Sequence, residues 1–213
     1  WHLRHVRHFV RRAVAGTRIF VMPGIYRETL VVTKPVEIIG NGKAEDIVLE
    51  SDGGPCLTFR TPHALLANLS LKARASAAGG PAFTALDIAE GEVLLEDCAC
   101  SSESAAGVVV HGEGTQAHLR RVKISGCAGD GLLVNAGATA MLERCQIWEV
   151  QGAGLRVLKE GRATLQHCRL FRAQESGLVV EAGGGGRLDL EQGHEVSGPG
   201  LLPSGPGAGP ACV

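Results

Sequence analysis

Apolar and polar positions along the middle of the chain follow a pattern that is written twice. GLLVNAGATAMLERCQIWEV, from Gly131, and GLRVLKEGRATLQHCRLFRA, from Gly154, share their order: a glycine, a short apolar run, an Ala-x-Leu, a cysteine and a closing apolar pair. The leucine of Ala-x-Leu serves as a ruler. Its equivalents are Leu66, Leu95, Leu119, Leu142, Leu165 and Leu188, spaced 29, 24, 23, 23 and 23 residues apart. Three residues after the first five come Leu69, Cys98, Val122, Cys145 and Cys168; two further on come Leu71, Cys100, Ile124, Ile147 and Leu170. Glycines open most units, at Gly107, Gly131, Gly154, Gly177 and Gly200.

Around each ruler leucine, apolar and polar residues alternate, which predicts strands with one face inward. Two polar residues between Leu and Cys mark a bend between short strands. Helical repeats need units of roughly 33 residues or more, and the leucine-rich-repeat pattern is absent. A coil of short strands satisfies all of this: an all-β parallel β-helix of about seven coils of ~23 residues, with rungs about 4.8 Å apart and equivalent side chains stacked. The leucines, with Cys98, Cys145 and Cys168, are then core ladders, and the opening glycines are expected at corners that need φ > 0.

The ends read differently. Leu3, Val6, Val10 and Val14 recur at helical spacing, so residues 1–16 are expected to form an amphipathic cap helix over an open strand edge. The β-helix is expected over 17–200. The tail 201–213, rich in Gly and Pro, is expected to lack structure.

Composition narrows the function classes. Charged residues make up 20% and nearly cancel, to a formal −1, which argues against a nucleic-acid partner. No apolar run approaches the roughly 20 residues of a membrane span. No Gly-rich phosphate motif is followed by Lys-Ser/Thr. Zinc motifs space cysteines otherwise, and His2, His5 and His8 read as a solvated face, so no metal or cofactor is expected. Unpaired inward thiols suit a reducing compartment, cytoplasmic or nuclear.

One stretch breaks the repeat: TRIFVMPGIYRETLVVTKPVEIIGNG, residues 17–42. It resembles the opening coil of pectate-lyase-like right-handed β-helices. It is similar to pectin methylesterases at Gly24, Tyr26 and Glu28, and to the CASH-type module of F-box substrate receptors and SHC-binding-like proteins. The resemblance implies a right-handed β-helix. It implies esterase chemistry only if paired aspartates, oxyanion-hole glutamines and an arginine follow, and the motifs Gln-Asp-Thr-Leu, Asp-Phe-Ile-Phe-Gly and Leu-Gly-Arg-Pro-Trp are absent. Without oxyanion donors an ester barrier keeps several kcal/mol.

Calcium-dependent lyases need clustered acids, and glycosidases need two carboxylates at fixed separation. The outward columns instead mix signs: Glu96, Arg120, Glu143, Gln166, Asp189, and then Asp97, Arg121, Arg144, His167, Leu190. Such columns read as pairing for register. The expected job is recognition of a protein target or glycan on the stacked outer face, with Arg121, Arg144, His167 and Arg169 as the contact strip and no catalytic residue. The alternative is a divergent lyase or hydrolase acting on acidic sugars.

The ladder reading makes one sharp forecast. Leu142→Asp or Leu165→Asp places an unpaired charge in the column, so circular dichroism should show loss of the β signal for either variant.

Overall fold

The computed structural model describes residues 5–75, 80–181, 187–190, 193, 195–197 and 202–204. Within them the chain winds as a parallel β-solenoid of about seven turns with one short α-helix. Helix α1 (Val6–Arg12) precedes the first coil, whose strands are β1 (Thr17–Val21), β2 (Gly24–Arg27) and β3 (Leu30–Val32). β4 (Val36–Gly40) begins the second coil directly above β1. Every coil repeats this order, so the solenoid has three faces, built on β1, β2 and β3. In the inner coils each strand pairs in parallel with its equivalents one coil below and one coil above; the strands of the end coils pair on one side.

The predicted ladders fill the centre. Leu66, Leu95, Leu119, Leu142 and Leu165 are fully buried, with Cys98, Val122, Cys145 and Cys168 beside them. The register pairs Leu66 with Leu95, Leu95 with Leu119, Leu119 with Leu142, and Leu142 with Leu165. The last step of the ruler needs correcting. Leu188 stands over Ala163, Asp189 over Thr164, and Leu190 over Leu165. The sequence between Leu178 and Leu190 is two residues longer than that between Leu155 and Leu165, and hydrogen-bond register, not motif order, sets the pairing.

The cysteines do more than fill space. Cys98 donates to the Leu66 carbonyl (3.6 Å), Cys145 to that of Leu119 (3.2 Å) and Cys168 to that of Leu142 (3.4 Å). Each thiol thus reaches the carbonyl of the ladder leucine one coil below, at the corner where the strand ladder is interrupted. A buried carbonyl left unpaired is costly, and a thiol is a small apolar group with a weak donor.

The corners reverse the expectation about glycine. Gly107, Gly131, Gly154 and Gly177 do stack, at the corner between the second and third faces, but none has positive φ. They are glycine because neighbours crowd. A Cβ on Gly131 would lie 2.6 Å from the Gly154 carbonyl oxygen, one on Gly154 would lie 2.6 Å from that of Gly177, and one on Gly177 would meet the Val196 side chain. Left-handed backbone marks other corners: between the third and first faces at Ala136, Lys159 and Glu160, and, as a regular column, between the first and second faces. It is occupied by Asn68, Asp97, Arg121, Arg144 and His167, with φ of 57°, 51°, 54°, 53° and 54°.

Helix α1 is clamped at both ends by the first coil. The Glu28 carboxylate accepts from Val6 N (2.6 Å) and Arg7 N (3.1 Å). Lys34 Nζ donates to the carbonyls of Arg11 (3.2 Å) and Ala13 (3.0 Å). An anion at the N-terminus and a cation at the C-terminus also match the helix dipole. Val6 and Val10 are buried as expected, whereas Val14 is 72% exposed and Ala13 is buried instead. The helix ends at Arg12 and Ala13 is extended, so the helical phase is broken before Val14. Leu3, Cys212 and the run 183–186 lie outside the described residues. At the far end, Leu202–Ser204 pairs with Val179–Glu181, so the sheet continues past the boundary at 200 drawn from composition.

Gly154→Ala should destabilise the fold by about 1–3 kcal/mol, because neither crowded backbone can retreat. Arg144→Asn should raise stability by up to about 1 kcal/mol, since asparagine tolerates the left-handed region better. Denaturant unfolding midpoints of both variants check the pair.

Candidate functional site

The four residues predicted as a contact strip fall together, in two groups. Arg121, Arg144 and His167 occupy one corner column, and Arg169 begins the adjoining strand of the second face. Left-handed backbone at the corner directs these side chains outward from successive coils. They are not equally available. Arg121 makes a two-pronged bond to Asp97, at 2.7 Å through both Nε and Nη2. That bond holds the Asp97 carboxyl below its usual range, against the opposing effect of burial. Arg169 pairs with Glu195 at 2.8 Å. Among the described residues Arg144 has one ion-pair partner, Glu143 at 3.9 Å, and its side chain is 65% exposed.

The second face adds what the charge columns did not reveal. Its outward residues form two columns: Lys123, Gln146, Arg169 and, beside it, Ser125, Trp148, Phe171. Trp148 and Phe171 stack with ring centroids 5.9 Å apart and planes 5° from parallel. The Arg169 guanidinium lies 5.7 Å from the Phe171 centroid, within cation–π range. Beneath Trp148 comes Ser125, then Ser101 one coil lower, so small hydroxyls adjoin the aromatic pair. Lys123 is exposed and has no ion pair among the described residues. The same offset of 23 residues that aligned the leucines also aligns Trp148 with Phe171. The aromatic pair is therefore readable from the repeat, though not from its charged columns.

The opening motif resolves into structure. Tyr26 is buried, and its hydroxyl donates to the Met22 carbonyl at 2.8 Å, closing the Pro23–Gly24 turn. Burial, with Glu28 secondary, raises its phenol above the ordinary value. Glu28 is committed to the helix N-terminus. The residues that carry the sequence resemblance hold the cap on the coil.

Acidic residues elsewhere are largely matched with arginine. Glu96 and Glu143 flank Arg120 at 2.8 and 3.4 Å. Asp130 holds Arg156 at 2.8 Å and accepts from Ala153 N at 2.7 Å. Glu50 pairs with Arg74, which pairs in turn with Glu103. Asp87 differs: on the third face it meets His111 Nε2 at 2.9 Å, the one carboxylate–imidazole hydrogen bond among the described residues.

Six thiols are buried and reduced. Burial pushes Cys56 and Cys98 up to about 12 and Cys127 to about 11, and raises Cys100 well above the ordinary thiol value. The hydrogen bond shared by Cys145 and Cys168 raises the former and lowers the latter. The four thiols that burial raises, Cys56, Cys98, Cys100 and Cys127, are packing groups.

The family described as right handed beta helix region matches residues 82–193. No curated protein matches. Among solved structures, a pectin methylesterase in complex with a hexasaccharide superposes with a TM-score of 0.62 at 14% identity, covering 87% of this chain and 66% of the enzyme. The pectin methylesterase from Yersinia enterocolitica gives 0.59 at 13%, covering 84% of this chain and 66% of that one. The enzyme from Aspergillus niger gives 0.60 at 11%, covering 90% and 81%. These likenesses establish the fold.

In a Cys212→Ser background, a thiol reagent at pH 8 should leave Cys56, Cys98, Cys100 and Cys127 unlabelled in the native protein, and label all six described cysteines in guanidinium. Mass spectrometry of the quenched samples checks this.

Proposed function

The chain belongs to the right-handed β-helix family, and we propose that its second face recognises a polysaccharide carrying carboxylates. One observation carries the reading: a stacked, partly exposed Trp148–Phe171 pair set among Lys123 and Arg169 on the second face, with Arg144 on the corner beside it. Aromatic rings offer a sugar its apolar ring face, and the cations offer its carboxylates charge-assisted hydrogen bonds. Gln146, between Lys123 and Arg169, adds donors and an acceptor. Stacked coils lengthen the surface along the axis, as a polymer ligand requires. The structural neighbours support the choice of ligand class, since they are pectin methylesterases and one is bound to a hexasaccharide.

Those neighbours also favour a second reading, a polysaccharide-active enzyme on acidic sugars. Asp87 and His111 are the pair this reading would use: a carboxylate orienting an imidazole is a common general-base arrangement. The sequence resemblance of residues 17–42 to the CASH-type module of F-box substrate receptors and SHC-binding-like proteins prompts a third version, in which the same strip reads acidic side chains of a protein target. The buried, reduced thiols suit that version's cytoplasmic or nuclear setting.

Titration calorimetry with polygalacturonate, alginate and a neutral glucan should give binding to the acidic polymers alone, weakening with salt. Trp148→Ala and Lys123→Glu/Arg144→Glu should each weaken it about tenfold, the loss of one good contact. Neither should move the melting temperature much, because both act at the surface. Arg121→Glu is a poorer probe, since it would set a like charge beside Asp97. Binding untouched by Trp148→Ala would refute the platform. Release of methanol or unsaturated sugar, abolished by His111→Ala with binding retained, would decide for the enzyme.

A further inference from the structure

The N-terminal end of the solenoid carries a second, unrelated surface. Among the described residues β1 pairs with β4 alone, so its other edge carries no strand. Asn41 N donates to the Val21 carbonyl at 2.8 Å, so the backbone groups of Val21 face β4. Backbone groups alternate sides along a strand, so those of Arg18 and Phe20 face the free edge. Helix α1 leaves this edge open. Between helix and strand runs a groove of about 400 Å³, with Val6, Phe9 and Ala13 on one wall and Phe20 and Met22 on the other. Phe9, Phe20 and Met22 are 38%, 54% and 47% exposed.

The helix does not swing across to close the groove, because Glu28 and Lys34 fix both its ends. Its charge is one-sided: Arg7, Arg11 and Arg12, with no acid among Val6–Arg12. Arg12 lines the groove. These features select the occupant. An unpaired strand edge in an apolar trough is satisfied by another strand, whose main chain meets the free groups and whose alternate side chains fill the trough. A sugar or an acyl chain would leave the backbone groups of Arg18 and Phe20 unmatched. A second copy would bring its own Arg7, Arg11 and Arg12 against the same three arginines.

We propose that an extended segment of a partner polypeptide adds to β1 as a strand, its apolar residues in the groove and its acidic residues against Arg12. The surface is independent of the Trp148 face, so either assignment can fail alone.

The test uses the whole chain and a displayed library of peptides about ten residues long, with Val, Ile, Leu or Phe alternating with Glu, Asp, Ser or Thr. Peptides selected on the wild type should bind with micromolar affinity, and Phe20→Glu and Arg12→Glu should each weaken them about tenfold or more. Trp148→Ala should leave binding unchanged. N-methylating alternate residues of a selected peptide, on the edge that meets β1, should abolish binding, which separates strand addition from simple apolar adsorption. Both variants should keep the wild-type circular dichroism spectrum. The proposal fails if nothing is enriched on wild type over Phe20→Glu, or if the N-methylated peptide binds as well. It also fails if wild type sediments as a dimer that Phe20→Glu dissociates, because a second copy then fills the groove.

Discussion

Parallel in-register pairing is the constraint on which the rest of this structure depends. When each strand bonds to its own equivalent one coil away, every side chain meets its counterpart at the rung spacing of about 4.8 Å. A residue is therefore judged by what it does when stacked. Leucine and cysteine suit a dry column. Like charges at that spacing repel, and so Arg120 lies between Glu96 and Glu143, and Arg121 beside Asp97. Aromatic rings gain by stacking, as Trp148 and Phe171 do.

The same constraint distinguishes two of the three corners by chemistry. Where the second face turns into the third, successive backbones approach so closely that only glycine fits at Gly131 and Gly154. Where the first turns into the second, the backbone is left-handed but open, and larger residues accept the conformational cost there. That corner carries Arg121, Arg144 and His167. The residues that turn the chain there also project their side chains from successive coils.

A solenoid must also end, and its ends follow other rules than its middle. Among the described residues the first coil has no strand below it, and its sequence departs from the repeat. Tyr26 ties down a turn, Glu28 and Lys34 hold a helix, and Phe20 and Met22 stay exposed beside a free strand edge. The middle of the molecule offers a flat polar and aromatic face suited to a polymer of sugars. The end offers a trough suited to a strand. The two surfaces differ because one belongs to paired strands and the other to an unpaired one.

The sequence by itself determined the solenoid, its core and much of its lateral order. A burial pattern that recurs every 23 residues has few solutions, and stacking turns sequence offset into spatial adjacency. Hence Leu119, Leu142 and Leu165, the thiols of Cys145 and Cys168, and the column of Arg121, Arg144 and His167 were all legible by counting. Counting failed where the period changed: two extra residues before Leu188 moved it from the Leu165 position to that of Ala163. Only the tertiary structure decided which arginines are already engaged, since ion pairing depends on side-chain reach and not on column alone. It alone showed that the stacked glycines answer crowding instead of a turn dihedral. And it alone revealed that Glu28 and Lys34 act on a helix some twenty residues earlier, a contact between non-repeating parts that no internal period can encode.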